Sequence, residues 1–115
     1  TSRRSAMIPH RYDLSIPENQ AKLDAADALG RLADDTGVSL IHLALAFVIR
    51  HPAVTAAIIG PRTLEQLESQ LGAVDLDLDD AVLDRIDEIV PPGRTINPLD
   101  LGWTNPALSP QALRR

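Results

Sequence analysis

Cysteine is absent from the chain. That excludes a disulfide scaffold, thiolate zinc sites and a cysteine nucleophile, and it is compatible with a cytoplasmic location. Aromatic residues are nearly absent as well: one Phe, one Trp and one Tyr in 115 residues. Packing falls to Ala, Leu, Ile and Val, and 44% hydrophobic residues are enough for one small domain with a real core. Long apolar runs are missing. The longest, residues 40–49, is too short to span a bilayer and is broken by His42, so no membrane partner is expected. No signal-peptide pattern opens the chain. Neither a His-x-x-x-His pattern nor a His–Cys cluster occurs, so no metal site is expected. Acidic residues outnumber basic ones by 16 to 11, for a formal net charge of -5. This balance argues against a nucleic-acid partner, because phosphate binding needs a basic surface. An initiator Met is missing too: Thr1 opens the chain and the single Met is Met7. The expectation is a fragment or processed product of something longer.

What is present organises into three stretches. Residues 1–14 show no period and read as an irregular loop, with Arg3, Arg4 and Arg11 forming a solvated basic end. Residues 15–90 carry the periodic pattern, and residues 91–115 are proline-rich and read as an extended tail. Within the middle stretch, Ser15-Ile16-Pro17-Glu18 predicts a capping box and a helix start. Leu23, Ala26, Leu29 and Ala33 then line one face, and Gly37 supplies a left-handed stop. Ser39 predicts the cap of a second helix that is apolar almost all round and ends before Pro52. Residues 54–59, Val-Thr-Ala-Ala-Ile-Ile, predict a short strand buried on both faces, as in a parallel sheet. Thr63-Leu64-Glu65-Gln66 predicts a further capped helix, and Asp79 caps a last one bearing Val82, Leu83, Ile86, Ile89 and Val90. A lone doubly buried strand has unpaired backbone on both edges. It points to a larger α/β fold from which this part has been cut.

The segment that bears on chemistry is Ile58-Ile59-Gly60-Pro61-Arg62-Thr63-Leu64-Glu65-Gln66-Leu67. A strand leading through a glycine turn to a helix N-terminus makes an anion site, because the first NH groups lack partners and the helix dipole favours negative charge. Arg62 adds a permanently charged planar fork suited to phosphate. In (β/α)8 barrels such a phosphate site follows a late strand. The same residues also read as a turn glycine, a surface arginine and a self-capped helix, with Gln66 only a capping partner.

The runs LADDTGVSLIHLALAFVIRHPAVTAAIIG (residues 32–60) and PRTLEQLESQL (61–71) resemble the aldo-keto reductase family, and VPPGRTINPLDLGW (90–103) resembles the tail of one bacterial branch of it. The resemblance covers about residues 18 to 105. It implies a (β/α)8 parent barrel that binds NADP(H), of which this chain is a C-terminal part, mostly α-helical with one short strand. It implies that Arg62 meets the adenosine 2′-phosphate, that the Gly60 region lets backbone approach it, and that Gln66, with the positions of Ser69 and Gln70, contacts the adenosine end. The family often has an acidic residue and an asparagine at the last two positions, from which Ser69 and Gln70 depart.

The family's catalytic set is an Asp, a Tyr, a Lys and a His at the ends of early strands, and no stretch here matches those motifs. Tyr12, the sole tyrosine, reads as a loop residue, and Lys22, the sole lysine, falls on a predicted helix. His10 and Tyr12 either line an active site from a loop or are plain loop residues. His42 and His51 flank an apolar helix and read as structural. The expectation is therefore the cofactor-binding portion of a reductase that interconverts aldehydes or ketones with alcohols, inactive by itself. The alternative is a small helical interaction domain without catalysis. Cut from its neighbours, the 40–59 segment is expected to make the isolated chain a homo-oligomer.

Overall fold

The computed structural model describes residues 3–103, 105 and 106. Five α-helices follow one another: α1 (Arg3–Met7), α2 (Pro17–Thr36), α3 (Leu40–Arg50), α4 (Leu64–Leu71) and α5 (Asp80–Ile89). Single 3-10 turns lie at Pro9–Arg11, Gly72–Asp75 and Pro98–Asp100. The chain divides into two compact units, Ala25–Pro92 and Thr1–Asp24 with Gly93–Arg115.

In the unit Ala25–Pro92, helix periodicity decides what is buried. Leu32 and Ala33 of α2, Leu43 and Ala46 of α3, Leu78, and Ile86 of α5 form the core. Leu29, Val38, Leu76, Val82, Leu83 and Ile89 pack against it. The spacing of three and four puts each set on one helix face. Full burial of one such leucine is worth about 1.5–3 kcal/mol.

Helix ends in this unit follow local chemistry. Gly37, at φ 72°, ends α2 in the left-handed region that favours glycine. The Gly37 amide donates to the Asp34 carbonyl (3.1 Å) and the Val38 amide to the Ala33 carbonyl (3.0 Å), the paired closure of a Schellman motif. Ser39 Oγ accepts from the His42 amide at 3.2 Å and opens α3. The Asp79 carboxylate accepts from the Val82 amide at 2.8 Å and opens α5. Arg50 bridges Asp77 (2.7 Å) and Asp80 (3.2 Å), both almost fully exposed, an arrangement worth little in water.

The strand expected over residues 54–59 is not formed, and no strand occurs among the described residues. The Val54 amide closes a turn on the His51 carbonyl at 2.9 Å, and Ile58 is fully exposed at 101%. The reason is pairing. A strand is held by a ladder to a neighbour, and this unit supplies none. Residues 56–61 run without regular structure, and their polar backbone is left to water.

The unit Thr1–Asp24 with Gly93–Arg115 is held differently. Its central residues are polar: Asn19 and Asn97 are 1% and 2% exposed. Asn97 Nδ2 donates to Asn19 Oδ1 (2.8 Å), and Asn19 Nδ2 donates to the carbonyls of His10 and Asp13 (2.8 Å each). Asn97 Oδ1 accepts from the Leu99 amide at 2.9 Å. Regular structure appears where sequence periodicity shows none, as helix α1 within the stretch read as an irregular loop and as the 3-10 turns Pro9–Arg11 and Pro98–Asp100. Residues 104 and 107–115 of the proline-rich stretch lie outside the described residues. One expected cap also differs. Ser15 does not cap α2; its hydroxyl and amide both donate to the Asp13 carboxylate, at 2.7 and 2.9 Å. Two hydrogen bonds to a charged acceptor outweigh one to a backbone amide, and they hold the Asp13 carboxyl below its usual range.

Candidate functional site

The proposed anion-binding stretch spans residues 60–70 in the unit Ala25–Pro92. Thr63 holds extended backbone at the N-cap of α4, and its hydroxyl accepts from the Gln66 amide at 3.2 Å. Gln66 Oε1 accepts from the Arg62 amide at 2.8 Å. The side chain thus reaches one residue further back than in the usual capping box, and it fixes the backbone that carries Arg62. Its Nε2 protons stay available to donate. Arg62 itself is exposed, and its guanidinium makes no ion pair among the described residues. A Cβ placed on Gly60 would meet nothing within 4 Å. Packing within the chain therefore does not demand glycine there, and the missing side chain leaves this backbone open to approach from outside.

Ser69 and Gln70 sit in the last turn of α4. Ser69 is exposed and Gln70 half-buried. The Ser69 carbonyl is engaged by Nε2 of His42, which projects from α3. The Gly72 amide closes on the Gln70 carbonyl. Arg62, Gln66, Ser69 and Gln70 are thus carried by one eight-residue helix and the residues that lead into it. No side chain of that helix is buried.

A second feature belongs to the other unit. An open cleft of about 600 Å³ is lined by Ile8, Arg11, Tyr12, Leu14, Asn19, Lys22, Leu23 and Asp100. Lys22 Nζ donates to Asp100 Oδ2 (2.9 Å) and to the Arg11 carbonyl (3.1 Å). Arg11 Nε faces Asp100 Oδ1 at 3.2 Å. The Lys22 hydrogen bond holds the Asp100 carboxyl below its usual range against partial burial, helped by the charges of Lys22, Arg11 and His10. Sequence reasoning missed this cluster. The cleft does gather the chain's sole tyrosine and sole lysine. Yet the lysine is committed to a carboxylate and a carbonyl, which is the work of a structural ion cluster. Among the described residues no group of His, Asp or Glu side chains could hold a metal ion. No single described helix is long and apolar enough to cross a membrane.

A model described as the aldo/keto reductase family matches residues 2–91. The chain belongs to the aldo/keto reductase family, whose parent fold is the (β/α)8 barrel. It is 43% identical over 60 residues to a Bacillus subtilis protein named "Uncharacterized oxidoreductase YrpG", across 52% of this chain and 18% of that protein. It is 32% identical over 79 residues to a Schizosaccharomyces pombe protein named "Putative voltage-gated potassium channel subunit beta", across 67% of this chain and 23% of that protein. The chain thus spans about a fifth of the length of these curated relatives. Both the Arg62 turn and the helix α4 fall inside the family match.

Proposed function

We propose that this chain is the C-terminal, cofactor-binding part of an NADP(H)-dependent aldo-keto reductase that interconverts aldehydes or ketones with alcohols. The observation that carries the reading is the exposed guanidinium of Arg62, without an ion pair among the described residues, at the entrance to α4 and inside a segment matched to the family. In this reading Arg62 takes the adenosine 2′-phosphate as a charge-assisted, forked contact. The amide end of α4 adds its dipole. The open backbone at Gly60 allows close approach, the Gln66 carboxamide donates to the adenosine, and Ser69 and Gln70 lie along its edge. NADP(H) supplies the hydride chemistry; the residues named here bind and orient it. No catalytic residue is assigned in this chain. The parent works in the cytoplasm as a (β/α)8 barrel, with residues 15–90 as its late barrel segment.

In the barrel that carries this segment, Arg62→Ala weakens NADPH binding by about ten- to a hundredfold, from the roughly 1.5–3 kcal/mol of a hydrogen bond to a charged group. NADH binding barely changes. Equal weakening of both cofactors, read by fluorescence titration, removes Arg62 from the 2′-phosphate.

A second reading is a small helical interaction domain without catalysis. It is favoured by the helices of the unit Ala25–Pro92, which enclose their own core without a sheet. A coding frame upstream of Thr1 with further strand–helix units decides for the reductase. Under either reading the isolated chain is a homo-oligomer. Leu40, Ile41, Phe47, Val48 and Ile49 of α3 are each 41–44% exposed, and Ile58 is fully exposed. Apolar surface of this kind drives association. Light scattering at micromolar concentration tests it, and a stable monomer refutes it.

A further inference from the structure

Helix α4 has a problem of stability. It is eight residues long and buries no side chain. An isolated helix of that length is unstable in water, and most helices in proteins owe their stability to a buried face. Its first turn is held by Thr63 and Gln66. Its last turn has carbonyls with no partner further along the helix. One of them, at Ser69, is met by His42 Nε2.

His42 is well placed to hold it. Ser39 caps α3 through the His42 amide, which fixes the backbone from which the ring projects. Four residues on, Ala46 lies on the same side of α3 and is buried, as is Ala73 in the turn that follows α4. Small residues at both positions let α3 and this turn approach closely. The ring lies over Gly72, where an added Cβ would stand 3.4 Å from His42 Cε1. An N–H at a helix C-terminus also meets the negative end of the dipole. Nε2 donates both in the neutral tautomer that carries its proton there and in the imidazolium.

We infer that His42 is a positioning residue for the cofactor clamp: its hydrogen bond to the Ser69 carbonyl holds the last turn of α4 in register, so that Ser69 and Gln70 face the adenosine held by Arg62. The inference rests on the reading of residues 60–70 as the adenosine site. It adds a residue that touches no ligand and acts through α4.

The test uses the full-length protein carrying this segment, with adenosine 2′,5′-bisphosphate as the probe and calorimetry as the readout. His42→Leu keeps most of the volume and removes the donor; His42→Gln restores a donor. Loss of one hydrogen bond that orders the site weakens bisphosphate binding about three- to tenfold in His42→Leu. The Gln variant recovers most of it. Amide exchange at residues 69–72 quickens in the Leu variant, while exchange in α5 is unchanged. In steady-state assays the KM for NADPH rises and kcat at saturating cofactor holds, a split that general loss of structure would not produce. Unchanged bisphosphate affinity in a folded Leu variant overturns the inference. Should His42→Leu fail to fold, the unsubstituted protein decides. Bisphosphate must slow exchange at residues 69–72 and shift the His42 ring resonances, and an unmoved ring overturns the inference. Arg62→Ala separates the two levels. If it leaves bisphosphate binding intact, the adenosine site itself is wrong and the role of His42 falls with it. If it weakens binding while His42→Leu does not, only the positioning role fails.

Discussion

The two compact units are held by opposite chemistry. Ala25–Pro92 closes over leucine, isoleucine and alanine, with Leu32, Leu43 and Ala46 at 1–3% exposure. Thr1–Asp24 with Gly93–Arg115 instead centres on two buried amides and a carboxylate shared by a lysine and an arginine. The first kind of core is non-directional and tolerates adjustment, because burial scales with area. The second is directional: every partner must be present, or a buried polar group is left unsatisfied.

The largest effect is expected where the apolar core is cut. Leu43→Ala should cost about 2–5 kcal/mol, the transfer term plus a cavity, and chemical denaturation reads it directly. A loss below about 1 kcal/mol would show that the site collapses around the smaller side chain. Next comes Asn97→Ala, which strands the Asn19 carboxamide oxygen. About 1–3 kcal/mol is expected. A double-mutant cycle with Asn19 should show strong coupling, and additive effects would deny that the two amides act as a unit. Third is the pH dependence. The folded Asp100 carboxyl titrates below its usual range, so its contribution is complete above the ordinary carboxylate pKa of about 4 and is lost as pH falls through the lowered value. Asp13 has the same sign. Asp100→Asn should flatten the stability profile on the acid side of about pH 4 and leave it parallel to the parent near neutrality. An unaltered acid limb would remove Asp100 from the cluster's energetics. The smallest effect belongs to Ile58→Ser. A fully exposed side chain without neighbours should change monomer stability by no more than about 0.5 kcal/mol, while association in light scattering weakens. A large stability loss would place Ile58 inside a folded contact.

These contrasts also mark what the sequence could convey. Apolar periodicity points to the four longer helices, and the caps at Ser39, Thr63 and Asp79 form where serine, threonine and aspartate precede apolar runs. Local signals suffice there, because each cap spans three residues. The 54–59 run illustrates the opposite. Its β-branched composition describes a strand in a sheet, but composition carries no partner, and without pairing the backbone stays irregular. The Asn19–Asn97 and Lys22–Asp100 contacts join residues 78 apart. No period or motif signals such pairs, since an asparagine in a helix and another before a proline look like ordinary surface residues. For the site, the Arg62 turn was legible as a motif and through family resemblance. The His42 contact was not: the histidine reads as structural, and only the fold shows which carbonyl it meets.

That separation of 78 residues has a consequence for synthesis on the ribosome. The apolar core draws on residues 29–89, a nearly contiguous stretch that can close as soon as α5 has emerged. Asn19 and Lys22 emerge ahead of that stretch and must wait for Asn97 and Asp100. At about 5–20 residues per second the delay is roughly 4–16 s. Throughout that interval Asn19 and Lys22 have water in place of their final partners, and for its last part, the roughly 0.4–2 s between emergence of Ile89 and of Asn97 and Asp100, the nascent chain carries one finished unit and one unfinished one. Chaperones and proteases that read open chain would meet the stretch around Asn19 and Lys22 in this short window, after residues 29–89 have already closed.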